Sequence, residues 1–174
     1  MKVYDINFIK DQFPALQRKV WDKKLVYLDS AASMQKPKRV LDAISKSYSF
    51  NYSNVHRGLH KLSEEATAKY EGSRIKVAKF INCSENEVIF TSGATAALNL
   101  VAYSWGMKNL SAGDEIIITI AEHHANIVPW QIIAEQKNVK IKAAHVDPNS
   151  EFNPDIIRDS VSYTHLTLPT RLMV

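Results

Sequence analysis

Apolar and polar positions follow two rhythms along this chain, and the change from one to the other falls near residue 87. Before it, helical spacing dominates. Residues 6–13 form a short amphipathic run that stops at Pro14, which predicts a helix, and the apolar run 25–28 predicts a strand that ends in D-S-A-A-S. Pro37 stands where a first helical turn begins, and Val40, Leu41, Ile44 and Tyr48 follow at helical spacing. A second helix should open at Ser63, whose hydroxyl can cap it, with Glu64 and Glu65 at the positive end of the dipole. Leu62, Ala66, Tyr70, Val77 and Ile81 then share a face.

Beyond residue 87 the pattern becomes strand, helix, strand, helix, strand. The periodicity predicts strands over 87–91, 115–120 and 139–146, and helices over 95–105 and 127–137. Strands alternating with helices indicate an α/β fold, a three-layer sheet with helices on both faces. Such sheets bind ligands in the crevice outside the carboxyl ends of their strands. The loops 92–95 and 122–126 lie at two of those ends.

Composition narrows the class. A chain of 174 residues with 45% hydrophobic and 23% charged side chains is of ordinary globular make-up and about one domain long. No apolar run is long enough to span a bilayer, and the amino terminus, with Asp5 and Asp11, lacks the apolar centre of a secretory signal. The expectation is a cytoplasmic protein without a membrane partner. The single cysteine, Cys83, excludes an internal disulfide framework; it could be a nucleophile, but it follows a helical pattern with no histidine close in sequence and reads as structural. The formal charge of +4 comes from scattered lysines and does not point to nucleic acid. There is no linker, low-complexity tract or internal repeat to mark a domain boundary.

Two loops carry candidate chemistry. In V-I-F-T-S-G-A-T-A-A-L-N-L, small residues join a strand to a helix start, and Gly93 would let the backbone turn closely. The free amides of Ala94 and Thr95, with the Thr95 hydroxyl beside them, would form an anion cradle. An ordinary tight turn with a capped helix explains the same residues. There is neither the G-K-[ST] of a P-loop nor the G-x-G-x-x-G of a dinucleotide site. The second loop, A-E-H-H-A-N-I-V-P-W, places His123 and His124 after a strand, with Asn126 positioned to cap a helix whose first turn holds Pro129. A histidine there could pack its flat ring on a planar ligand, accept a proton, bind a metal, or simply hydrogen-bond within the loop. An anion cradle beside a flat ring would suit a phosphorylated planar cofactor.

With these segments in order, the sequence resembles the group II, SufS-type, cysteine desulfurases of the aminotransferase class V family. The resemblance runs from about residue 13 to 160 through Y-L-D-S-A-A-S with Q-K-P, N-V-H-R-G-L-H-K-L-S, F-T-S-G-A-T, A-G-D-E-I-I-I-T and E-H-H-A-N-I-V-P-W-Q. It implies part of the large domain of the type I fold of pyridoxal-phosphate-dependent transferases. It further implies that Ala94 and Thr95 bind the phosphate of pyridoxal 5'-phosphate, and that His123 stacks on the pyridine ring while His124 supports it. Ala31 and Ala32 would lie near the substrate, and His56, Arg57 and Gly58 in a loop near the active site and dimer interface. The implied reaction takes L-cysteine to L-alanine and leaves a persulfide on the enzyme, in a homodimer that feeds a sulfur-acceptor protein of the Suf system for iron-sulfur clusters. Ala96 stands where the family usually has an acidic residue.

The family's Schiff-base lysine, in an S-G-H-K type segment, its pyridine-nitrogen aspartate, in D-[GA]-A-Q, and its nucleophilic cysteine loop do not occur in these 174 residues. The chain alone is therefore expected to be inactive. Its expected organisation is an amino-terminal segment at 1–20, a partial cofactor-binding large domain at 21–160, and a non-native tail at 161–174. That tail, V-S-Y-T-H-L-T-L-P-T-R-L-M-V, resembles translated sequencing-adaptor read-through. The alternatives are a short non-catalytic paralogue or dimerising binding module, and a metalloprotein using His56 and His60 at helical H-x-x-x-H spacing with His123 or His124.

Overall fold

Local signals set most of the helix ends. The computed structural model describes residues 4–146 and 154–161, which fall into two compact units, Met1–Val88 and Ile89–Val174. In the first unit, α1 (Ile6–Asp11) opens on Asp5, whose carboxylate accepts from the amides of Asn7 and Phe8 at 3.0 Å each. A 3-10 turn, Pro14–Gln17, leads to a hairpin of β1 (Lys19–Val20) and β2 (Lys23–Lys24). Its turn residues Trp21 and Asp22 both have positive φ, 49° and 61°, the geometry that matches strand twist in a two-residue hairpin.

The strand expected at 25–28 does not form. The Leu25 amide donates to the Arg18 carbonyl at 3.2 Å, and the chain then runs outside both sheets with Val26 and Leu28 exposed. An apolar run supplies side chains for a strand, but the ladder partner must come from elsewhere.

Helix α2 (Lys38–Lys46) starts after Pro37, as expected, and passes into a π-helical turn at Ser47–Asn51. Helix α3 (Lys61–Ile81) starts two residues before Ser63 because the His60 side chain caps it, Nδ1 accepting from the Ser63 amide at 3.4 Å. It ends on Asn82 in the left-handed region, φ 56°, with the Cys83 amide returning to the Ala78 carbonyl at 2.9 Å. Next, Ser84 and Glu87 form a reciprocal capping box around the 3-10 turn Glu85–Glu87. That turn and the extended run after it replace the strand expected at 87–91.

In the second unit, α4 (Ala94–Val101) continues through a π-helical turn, Ala102–Gly106, into α5 (Met107–Asn109). Then β3 (Glu115–Thr119), α6 (Val128–Lys137) and β4 (Lys140–Ala144) make a parallel β-α-β unit, with Ile116 opposite Ile141 and Ile118 opposite Ala143. These strands and α6 fall where the periodicity puts them. Ala102, Leu110, Ile133 and Val139 are the buried centre, with Ile116 and Trp130 packed around them. Gly106 lies close to α6: a Cβ there would stand 3.2 Å from the Trp130 ring, a tight contact. Helix α7 (Asp155–Asp159) follows.

The architecture is α/β, with one two-stranded parallel sheet and one short hairpin among the described residues. Among them no helix is long and apolar enough to cross a membrane. The tail reading concerns residues 161–174, and all but Val161 lie outside the described residues.

Candidate functional site

The second unit brings Ala94, Thr95 and His123 onto adjoining elements. Gly93 precedes α4 with extended backbone, and its carbonyl takes the first helical bond, from the Ala97 amide at 3.1 Å. The amides of Ala94, Thr95 and Ala96 lie ahead of that bond, and no side chain caps the helix. Such amides carry partial positive charge and attract anions. A Cβ built on Gly93 meets no atom within 4 Å, so the space over this turn is open. Glycine there is not demanded by the fold itself, contrary to the expected tight backbone approach. Helix α4 lies against the 3-10 turn His124–Asn126.

His123 stands just beyond the carboxyl end of β3, where the crevice rule puts a ligand. Its Nδ1 accepts from the Ala125 amide at 3.1 Å, so in the neutral ring the proton is on Nε2. The ring is exposed and meets His124 edge-on, centroids 6.3 Å apart. Asn126 does not cap α6, whose N-cap is Ile127. Its side chain is held between Glu122 and Trp130, at 2.9 and 3.0 Å.

Ala31, Ala32, His56 and Arg57 all belong to the first unit. Ala31 and Ala32 sit exposed in a turn closed by the Ser33 amide on the Asp29 carbonyl, at 3.0 Å. The Tyr27 hydroxyl donates to the carbonyls of Ser33 and Asp29 across the same turn. The bend holding His56 and Arg57 is tied to one face of α3. The Ser63 hydroxyl accepts from the Gly58 amide at 3.0 Å and donates to the Asn54 carbonyl at 2.6 Å, while Thr67 Oγ1 accepts from the His56 amide at 2.9 Å. A Cβ on Gly58 would overlap the Ser63 Cβ, so this contact needs glycine.

His56 adopts φ 71° and its Nε2 meets Glu71 Oε1 at 2.7 Å. The other Glu71 oxygen accepts from Arg74 Nε at 3.0 Å. The His56 hydrogen bond foremost holds the Glu71 carboxyl below the ordinary glutamate range; burial opposes it, and the hydrogen bond and charge of Arg74 add to the lowering. His56, Gly58, Glu64, Thr67, Ala68 and Glu71 line an open cleft of about 430 Å³. Arg57 is exposed.

The metal alternative finds no such grouping: among the described residues no three His, Cys, Asp or Glu side chains gather as an ion would require. His56 and His60 do not share a helical face; one pairs with Glu71 and the other caps α3.

Residues 26–168 match the family described as Aminotransferase class-V. The chain belongs to the class-V aminotransferase family. Within it, a "Probable cysteine desulfurase" of Vibrio cholerae serotype O1 is 49% identical over 159 residues, covering 91% of this chain and 39% of the relative. One from Synechocystis sp. is 49% identical over 146 residues, 83% of this chain and 35% of the relative. Among solved structures, the apo cysteine desulfurase of Thermococcus onnurineus NA1 superposes with a TM-score of 0.80 at 31% identity, covering 91% of this chain and 38% of that one. The Escherichia coli cysteine desulfurase CsdA superposes at 0.75 with 36% identity, over 92% and 39% of the two chains. These likenesses give the α/β architecture its place in the pyridoxal-phosphate-dependent transferase fold. The chain spans about two-fifths of the length of the curated relatives it matches.

The class-V cofactor fits the residues present, by the three uncapped amides of α4, the open space over Gly93 and the exposed ring of His123 on an adjoining element. Sequence reasoning missed Ser63, Thr67 and Glu71 as a polar line along α3, and Glu122, Asn126 and Trp130 as a polar chain behind His123. Their four-residue spacings stand in the sequence, but such a spacing of polar residues also fits an ordinary solvated helix face.

Proposed function

We propose that this chain is the amino-terminal, cofactor-holding part of a pyridoxal-phosphate-dependent cysteine desulfurase of the SufS type. The observation that carries the reading is that α4, which begins with the uncapped amides of Ala94 and Thr95, lies against the turn that follows His123, in a chain whose relatives are named probable cysteine desulfurases. The amides of Ala94 and Thr95 and the Thr95 hydroxyl hold the phosphate, and the His123 ring packs on the pyridine. Ala31 and Ala32, with His56 and Arg57, lie near the substrate. Bound pyridoxal phosphate supplies the electron sink for bond breaking at the amino-acid substrate.

The reaction proposed for the whole protein takes L-cysteine to L-alanine and leaves sulfur as an enzyme persulfide. It is carried out by a cytoplasmic homodimer that hands sulfur to an acceptor protein of the Suf system. The 174-residue chain by itself carries no S-G-H-K segment and is proposed to be inactive.

A chimera tests the reading. Residues 13–160 of this chain replace the matching part of the Vibrio cholerae relative, and alanine formed from L-cysteine is measured beside the parent. The chimera should bind pyridoxal phosphate and form alanine. A folded chimera that binds the cofactor but yields none, with the parent active, overturns the substrate; one that cannot bind it overturns the cofactor assignment.

A further inference from the structure

Behind His123 runs a chain of side-chain hydrogen bonds with a forced direction. Trp130 Nε1 donates to Asn126 Oδ1 at 3.0 Å, Asn126 Nδ2 donates to Glu122 Oε2 at 2.9 Å, and the Thr119 hydroxyl donates to Glu122 Oε1 at 3.0 Å. An indole N–H can only donate, so the Asn126 amide must turn its oxygen toward Trp130 and its nitrogen away. That nitrogen then needs an acceptor, and a carboxylate offers nothing else. The order is fixed from one end to the other.

This chain grips the loop on both sides of the histidine. Glu122 immediately precedes His123, and the backbone N–H of Asn126 donates to the His123 carbonyl at 2.8 Å. With the Ala125 amide on Nδ1 at 3.1 Å, both the backbone and the ring of His123 are tied to the turn that Asn126 ends. Thr119 lies at the end of β3 and Trp130 in α6, so the loop is braced across the β-α-β unit.

We infer that Glu122, Asn126 and Trp130 are positioning residues that set the direction of the His123 ring for a flat, anionic ligand of the pyridoxal phosphate kind, with the orientation of the Asn126 amide as the determinant. The ligand class rests on the reading above; the polar chain does not.

Polarity gives the test, because near-isosteric substitutions must then have unequal effects. Asn126→Asp faces two carboxylates across the 2.9 Å contact and breaks the chain. Glu122→Gln preserves it, its oxygen accepting from Asn126 and its nitrogen donating to the Thr119 hydroxyl. In the double variant the new amide nitrogen at position 122 donates to the new carboxylate at position 126. That carboxylate still accepts from Trp130, so the second substitution repairs the first.

The measurements are the Trp130 indole and His123 ring nitrogen resonances of the 174-residue chain, and the affinity of each variant for pyridoxal phosphate. N126D should shift both resonances and weaken the ligand on the order of tenfold, as loss of an orienting partner typically does. E122Q and the double variant should resemble the parent. Should N126D alone fail to fold, recovery of native melting and resonances in the double variant carries the same test. Equal resonances in all four proteins, or no repair in the double variant, overturns the proposal. Repaired resonances with the same ligand affinity in all four leaves the brace standing and overturns the ligand reading instead.

Discussion

The Nε2 atom of His56 lies 2.7 Å from Glu71, on the helix that carries the loop's other anchors, Ser63 and Thr67. The backbone of His56 is left-handed, φ 71°, a region that non-glycine residues occupy only when their surroundings hold them there. The hydrogen bond from its backbone N–H to Thr67 Oγ1 and the ring contact to Glu71 supply that hold. Glu71 is shared with Arg74, which also reaches over the Tyr70 ring, 5.1 Å from its centroid.

Acid should loosen this loop. The Glu71 carboxyl titrates below the ordinary glutamate value in the folded chain, first because of His56 and then Arg74. A group with a lowered folded pKa contributes stability that is present above its unfolded value, about 4.3, and is lost as pH falls through the lower folded value. Urea midpoints of the parent and Glu71→Gln should therefore differ near neutrality and converge on acidification below about pH 4.3. Curves that stay equally far apart to the lowest pH at which the chain folds would show that the charge of Glu71 is not what holds the loop.

Ser63 makes a separate prediction. It is 1% exposed, and its hydroxyl serves the Gly58 amide and the Asn54 carbonyl together. Ser63→Ala leaves half-buried Gly58 and exposed Asn54 without that partner, and a hydrogen bond of this kind contributes a net of roughly 0.5–1.5 kcal/mol. The variant should lose about that much in urea unfolding, and the Gly58 amide should exchange faster with solvent while amides of β3 keep their rates. Unchanged exchange at Gly58 would mean that the bend is held by other contacts.

How much of this was legible depends on where the partner of each group lies. The strands of the β-α-β unit were legible because Ile116, Ile117 and Ile118 are followed by a helix and then by a second strand with which they pair. Residues 25–28 have a strand's apolar content as well, yet their pairing would have to come from residues far away in sequence. The helix start at Ala94 was legible because a helix start is a local event. The role of Ser63 was misread because a helix-capping hydroxyl and a loop-tying hydroxyl look alike in sequence; only the approach of Gly58 and Asn54 separates them. Glu71 was invisible as a partner of His56, since the pairing spans fifteen residues and a bend whose shape no spacing rule encodes.

Substitution at Gly93 separates the proposed phosphate cradle from the fold. Gly93 has extended backbone, and a Cβ added there meets no protein atom within 4 Å. Gly93→Ala should therefore leave thermal unfolding unchanged or raise it slightly, since replacing glycine at a compatible position stabilises by about 0.4–1 kcal/mol through the unfolded chain. The same methyl group adds bulk to open space at the turn that leads into the Ala94 and Thr95 amides. If that space receives a phosphate, Gly93→Ala should weaken pyridoxal phosphate binding, while Thr95→Val should lose one charge-assisted hydrogen bond, about 1.5–3 kcal/mol. Parallel titrations of the parent and both variants, read by cofactor absorbance beside their melting curves, check this. Full affinity in Gly93→Ala would place the phosphate elsewhere, and a loss of affinity that merely tracks a loss of stability would show that the glycine serves the fold.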